Sequence, residues 1–64
     1  MKYYMLYVKW EGQKRFRPVD WNGGRQVFNR IHATMFKEEE APRLKKILHR
    51  EWRRYNVEWE LRQC

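Results

Sequence analysis

The sequence predicts an α+β domain: a small, mainly antiparallel sheet of three to four strands, with one helix packed across one face, in the order β-β-β-α-β. Three observations predict it. Leu44, Ile47, Leu48 and Trp52 recur at three- and four-residue spacing, which stacks side chains on one face of a helix. Lys2–Trp10 and Val57–Arg62 alternate with the two-residue period of strands. Glu11-Gly12 and Asn22-Gly23-Gly24 place turn chemistry between the early strands.

The first strand, Lys2–Trp10, carries Tyr4, Leu6, Val8 and Trp10 on one face and Tyr3, Met5, Tyr7 and Lys9 on the other. Both faces are rich in apolar or aromatic groups, the pattern of a central strand or one covered on two sides. Gly12 supplies the positive φ that a tight hairpin turn uses. A second strand is expected over Gln13–Val19. Pro18 cannot donate to a ladder, so this strand ends there or lies on an edge.

Asp20-Trp21-Asn22-Gly23-Gly24 reads as a loop. Gln26-Val27-Phe28 reads as a short third strand, and Ile31–Phe36 as a further strand or an extended approach to the helix.

The helix opens with Glu38, Glu39 and Glu40, whose charge suits a helix N-terminus. Pro42 is tolerated only in the first turn. The helix is expected to start near Glu39 or Glu40, to run through Tyr55 and to stop at Asn56. Val57, Trp59 and Leu61 then alternate with Glu58, Glu60 and Arg62 as a half-buried closing strand.

The chain has 64 residues, room for a single domain, 1–64. Its aromatic fraction of 17% supplies the large side chains from which a small core can be built. Lys and Arg number 15 against eight Asp and Glu, a formal net charge of +7. Residues 1–36 hold seven basic and two acidic groups, and residues 37–64 eight and six, so the excess is spread along the chain and is not a tail. A field of this sign attracts nucleic acid or an acidic protein surface. With one cysteine, Cys64, no intramolecular disulfide forms, and a reduced, cytoplasmic setting is the default. No stretch reaches the ~20 apolar residues of a membrane span. MKYYMLYVKW lacks a small-residue cleavage site and reads as a strand.

No catalytic constellation is evident. His32 with Glu38, Arg15 and Arg17 is the one arrangement that fits a small ribonuclease. There is no C-x-x-C or H-x-x-x-H spacing for a metal and no phosphate-loop pattern, so neither metal nor cofactor is expected. Basic residues interleaved with aromatics remain. A sheet face presenting Tyr3, Tyr7, Arg15 and Arg17 would hold single strands by stacking and charge. A helix face presenting Lys45, Lys46, Arg50, Arg53 and Arg54 would meet a duplex backbone. The competing reading is a protein-binding module anchored by Trp10 and by Trp21 in its loop. An uncovered sheet face would equally serve a homodimer.

The run Ile31-His32-Ala33-Thr34-Met35-Phe36, followed by Glu38-Glu39-Glu40-Ala41, resembles the very small proteins of bacteriophages and integrative elements. In those, a hairpin leads to an A-T-x-F segment, an E-E-A helix start and a closing strand. The chain departs from that pattern at Lys37, where those proteins place an acidic or hydroxyl cap, and at Pro42. The resemblance implies a protein that works by binding, and some small phage proteins of this size inhibit host defence, anti-CRISPR proteins among them. It carries over no functional residue.

Overall fold

A computed structural model describes residues 2–22, 25–53 and 55–64. Five strands and one α-helix follow in the order β1 (Tyr3–Trp10), β2 (Arg17–Asp20), β3 (Arg25–Gln26), β4 (Met35–Lys37), α1 (Ala41–Glu51) and β5 (Val57–Gln63), an α+β fold with an antiparallel sheet. A 3-10 turn at Arg30–His32 precedes β4, and another at Glu38–Glu40 leads into α1.

β1 is the organising strand. β5 lies along one of its edges from Tyr4↔Gln63 to Trp10↔Val57. The other edge is divided: β4 pairs with its first half at Tyr3, Tyr4 and Met5, and β2 with its second half at Tyr7 and Val8. β3 extends the sheet beyond β2. The two half-edges are joined where the Thr34 N–H donates to the Val19 carbonyl, at 3.1 Å.

The alternation of β1 is resolved as the sequence implies. Leu6 and Val8 are buried under α1 with Val19, Phe36, Leu44 and Leu48. Trp21, Trp52, Val57, Trp59 and Leu61 pack around this cluster. Each fully buried aliphatic side chain contributes about 1.5–3 kcal/mol.

The second strand is shorter than the sequence suggests. It starts at Arg17, because Gly12, at φ +88°, turns the chain tightly and the Gln13 N–H closes on the Trp10 carbonyl at 3.0 Å. Side-chain amides then stand in for the missing ladder. Gln13 accepts the Trp10 N–H at 2.8 Å, and Gln26 donates to the Val8 carbonyl at 2.7 Å while pairing with the Gln13 amide at 2.8 Å.

Pro18 neither ends its strand nor lies on an edge. It is buried within β2, opposite Tyr7. Its carbonyl accepts the Val27 N–H at 2.8 Å, but it has no N–H to return, so the β2–β3 pairing stops there. The third strand accordingly ends at Gln26, short of Val27 and Phe28, and the following segment forms the 3-10 turn and then a separate β4.

Pro42 is the second residue of α1, and the Glu40 carboxylate accepts the Lys37 N–H at 3.2 Å. The helix stops at Glu51, several residues before Asn56. Trp52 caps it and is lodged between Trp10 and Trp21, and a turn closed by the Tyr55 N–H on the Trp52 carbonyl leads to β5. The Asn56 amide donates instead to Glu11, at 3.2 Å.

Candidate functional site

The fold separates the charged and aromatic groups onto three surfaces. The first is the outer side of α1. Burial of Leu44 and Leu48 orients the helix, so Lys46 and Arg50 are exposed on the opposite side, and Arg43 extends the row at its edge, where it borders a groove with Trp21, Phe36, Glu40 and Ile47. Arg53 continues it, because Trp52 keeps a near-helical backbone at φ −100°, ψ −5°. Neighbours at three- and four-residue spacing lie about 5–6 Å apart, and the row from Arg43 to Arg53 runs for about 15 Å. Lys45 sits on one flank, in a shallow groove with Tyr4, Ala41, Pro42 and Leu61. His49 is on the same flank and packs edge-on against Trp59, with centroids 5.3 Å apart. Glu51 is the one acidic residue between Ala41 and Arg53, and its pairing with Arg50 at 3.1 Å is exposed and therefore weak.

Arg43 is absent from the residues singled out by sequence. It falls between Pro42 and Leu44 in the first turn, next to the acidic run, although its spacing from Lys46 and Arg50 places it along the same side of the helix. Arg54 lies outside the described residues.

The second surface is the sheet face turned away from α1. The register places Tyr3, Met5, Tyr7 and Lys9 there, with Met35 and Lys37 from β4 and Glu58, Glu60 and Arg62 from β5. The Arg62 guanidinium lies 4.2 Å from the Tyr7 ring centre and 5.5 Å from that of Phe16, and Lys9 lies 5.3 Å from Phe16. Lys9 is also paired with Glu58 at 2.8 Å, and Arg62 with Glu60. Tyr7 is thus already covered by a cation, and the cations of this face are largely matched by carboxylates.

Arg17 does not join Tyr3 and Tyr7. It stands opposite Val8 and therefore on the helix-side face of the sheet, with its guanidinium 4.8 Å from the Phe28 ring centre. Arg15 is exposed in the β1–β2 connection. The four-residue sheet site expected from sequence is split by this register.

The two candidate anchors belong to the core rim. A chain of rings runs Tyr55–Trp10–Trp52–Trp21–Phe36, with centroid separations of 6.1, 5.9, 5.9 and 6.1 Å. Trp21 is half-buried, and its backbone N–H donates to Thr34 Oγ1 at 2.9 Å, so it is no loop-tip anchor. Trp10 keeps 37% of its surface exposed but is held by two of these rings.

The third surface is the segment between β3 and β4. Phe28 and Ile31 are 89% and 82% exposed on a turn in which Asn29 Oδ1 accepts the Ile31 N–H at 3.0 Å. Arg25, Arg30 and His32 are exposed beside them, and residues 21–37 contain no Asp or Glu. Apolar residues in this short segment read as strand in the sequence, which hid their exposure.

The ribonuclease arrangement is not assembled. The Glu38 N–H donates to the Lys2 carbonyl at the start of β1, whereas Arg17 pairs with Val8 near its end. Six residue steps along the strand separate the two, a distance of about 20 Å. Among the described residues, no group of three or more His, Cys, Asp or Glu side chains is placed to hold a metal ion. Nor is any helix among them long and apolar enough to cross a membrane. No family model, curated protein or solved structure matches the chain.

Proposed function

We propose that this protein binds nucleic acid without transforming it, seating the outer side of α1 against the phosphate backbone. The observation that carries this reading is the imbalance between the two sides of the molecule. From Ala41 to Arg53 the helix has five Lys and Arg against one Glu, with the acidic run Glu38–Glu40 confined to its N-terminal end. On the open sheet face Lys9 and Arg62 are each paired to a glutamate. Charge therefore favours the helix as the leading contact, with a duplex or structured strand as the ligand; on the sheet platform that would favour single strands, Lys9 and Arg62 are matched by carboxylates and Tyr7 is already stacked. A cytoplasmic setting goes with this reading.

The test is fluorescence anisotropy with mixed-sequence single- and double-stranded DNA and RNA at two salt concentrations. Four phosphate contacts by Arg43, Lys46, Arg50 and Arg53 correspond to a slope of log affinity against log salt of about −3.6 on duplex DNA. The triple variant Arg43→Gln, Lys46→Gln, Arg50→Gln should flatten that slope by about 2.7. Absence of binding at low salt, or a slope unchanged by the triple variant, overturns the reading.

A second reading rests on Phe28 and Ile31. Exposed apolar side chains flanked by Arg25 and Arg30 suit a protein partner with an apolar pocket and an acidic rim. This would be an inhibitor or adaptor of the kind that the mobile-element resemblance implies. It predicts a complex that survives moderate salt and is lost on Phe28→Ser with Ile31→Ser, while nucleic-acid binding is retained.

A further inference from the structure

β5 presents the longest free edge among the described strands. Its pairing with β1 is continuous over seven positions, with no bulge, and occupies one of its two edges. The Cys64 N–H donates to the Tyr3 carbonyl at 2.9 Å, which fixes the phase of the ladder. Backbone groups alternate in direction along an antiparallel strand. Glu58, Glu60 and Arg62 therefore turn theirs toward β1, and Val57, Trp59, Leu61 and Gln63 turn theirs outward. Edge strands are ordinarily blunted by charged side chains, Lys above all, by Pro or by a bulge. The sequence Val57–Gln63, VEWELRQ, has no Lys, Pro or bulge, and its three charges, Glu58, Glu60 and Arg62, are of both signs.

We propose that β5 pairs antiparallel with β5 of a second copy of this chain, about a two-fold axis that passes through Glu60 perpendicular to the sheet. The sequence of the strand selects this occupant. In that register Trp59 faces Leu61 of the second copy and Val57 faces its Gln63, each pair occurring twice and uniting outward-turned residues, for about eight hydrogen bonds in all. Glu58 faces Arg62 of the second copy, again twice, so opposite charges meet across the edge. Glu60 meets its own counterpart on the axis, a like-charge pair that opposes the pairing, and the Arg62 of each copy is shared between this carboxylate and Glu58 of the second copy. Displacing the register by two residues removes about two of the hydrogen bonds.

The two helices also fit. Both lie on the same face of the continuous sheet. Three strand spacings separate one β1 from the other, so helices seated over the two β1 strands stand about 14 Å apart, beyond the 8–10 Å of direct helix packing. The inference does not depend on nucleic-acid binding, and it is tested without nucleic acid.

The experiment is light-scattering mass measurement on the full chain at its highest soluble concentration and on dilution. The expected result is twice the chain mass, falling toward the monomer on dilution. Gln63→Pro removes an outward donor and leaves the β1 ladder intact. It should shift the mass to the monomer with an unchanged circular dichroism spectrum. In a Cys64→Ser background, Glu60→Cys places the two thiols at a non-hydrogen-bonded pair, where Cα atoms lie about 4.5 Å apart, within disulfide reach. Mild oxidation should give a covalent dimer. A monomer mass at the highest concentration overturns the proposal. So does a dimer that persists in Gln63→Pro, or one in which Glu60→Cys fails to cross-link, since either places the interface elsewhere.

Discussion

Replacing Trp52 by Ala tests how the core is held. The Trp52 ring sits 5.9 Å from both Trp10 and Trp21, and through them it links Tyr55 at one end of the chain of rings to Phe36 at the other. Truncating a fully buried Trp to Ala costs about 3–5 kcal/mol, and Trp52, which is half-buried, falls at the lower end of that range. Each aromatic pair is worth about 0.5–1.5 kcal/mol beyond its buried area, and part of that is contained in the first figure. A domain of this size has a total stability of about 3–10 kcal/mol. Trp52→Ala should therefore remove much of it and leave a substantial unfolded fraction at 25 °C. Trp52→Leu keeps much of the apolar volume and loses the two ring pairs, so it should cost about 1–3 kcal/mol. The assay is urea denaturation followed by far-UV circular dichroism. With a slope near 1 kcal/mol per molar urea, a loss of 3 kcal/mol moves the midpoint down by about 3 M. Arg53→Ala, next in sequence and exposed, is the control and should stay within about 0.5 kcal/mol. If Trp52→Ala shifts the midpoint no more than Arg53→Ala does, the chain of rings is not what joins the end of α1 to the sheet.

Other expectations follow from single contacts. Gly12→Ala meets no atom within 4 Å of the new Cβ, so its cost is the left-handed backbone alone: about 1–2 kcal/mol, read as a fall in Tm of about 4–8 °C per kcal/mol. Gln13→Ala and Gln26→Ala should each destabilise, and the double variant should cost less than their sum by about 0.5–3 kcal/mol in a double-mutant cycle, because their amides bond each other and share the gap left by the late start of β2. Replacing Lys9 by Met should change stability by less than about 1 kcal/mol, since its partner Glu58 is solvent-exposed. Thr34→Val should destabilise by about 1–3 kcal/mol, because it leaves the half-buried Trp21 N–H without its acceptor.

Elements whose side chains obey one period were legible from sequence. β1 and β5 alternate and α1 repeats at helical spacing, and each of those patterns reflects a face buried against the others. The failures came where a tertiary contact decides. Nothing in Gln13-Lys14-Arg15-Phe16 distinguishes a strand from a turn; the difference is made by the amides of Gln13 and Gln26, which meet only once β3 is in place. Trp21 follows a strand and precedes Asn-Gly-Gly, so local composition reads as an exposed loop, yet Thr34 and Trp52 draw it inward. The four residues of the candidate sheet site are divided by register. Tyr7 faces Pro18 and Val8 faces Arg17, and this pairing sends Arg17 to the helix side, a choice that the sequence of neither strand contains. The helix row was largely legible, because the period that predicts the buried face also predicts its opposite.

The basic row on α1 and the free edge of β5 are linked by geometry. A two-fold axis perpendicular to the sheet keeps both helices on the same side, so a β5-paired dimer presents two rows of Arg43, Lys46, Arg50 and Arg53 toward one ligand. A ligand spanning both rows binds the second at the effective concentration set by the first. The number of phosphate contacts per complex then doubles, and the salt slope on a long duplex rises from about −3.6 to about −7. Gln63→Pro touches no residue of the row. It should return the slope to the single-chain value while leaving Arg43, Lys46 and Arg50 sensitive to substitution. A short duplex, long enough for one row alone, should show no difference between the original chain and Gln63→Pro. A steep slope that survives Gln63→Pro would mean that charge outside α1, such as Arg25 and Arg30 beside Phe28, carries part of the contact. The surface between β3 and β4 would then belong to the nucleic-acid interface and not to a separate protein-binding one.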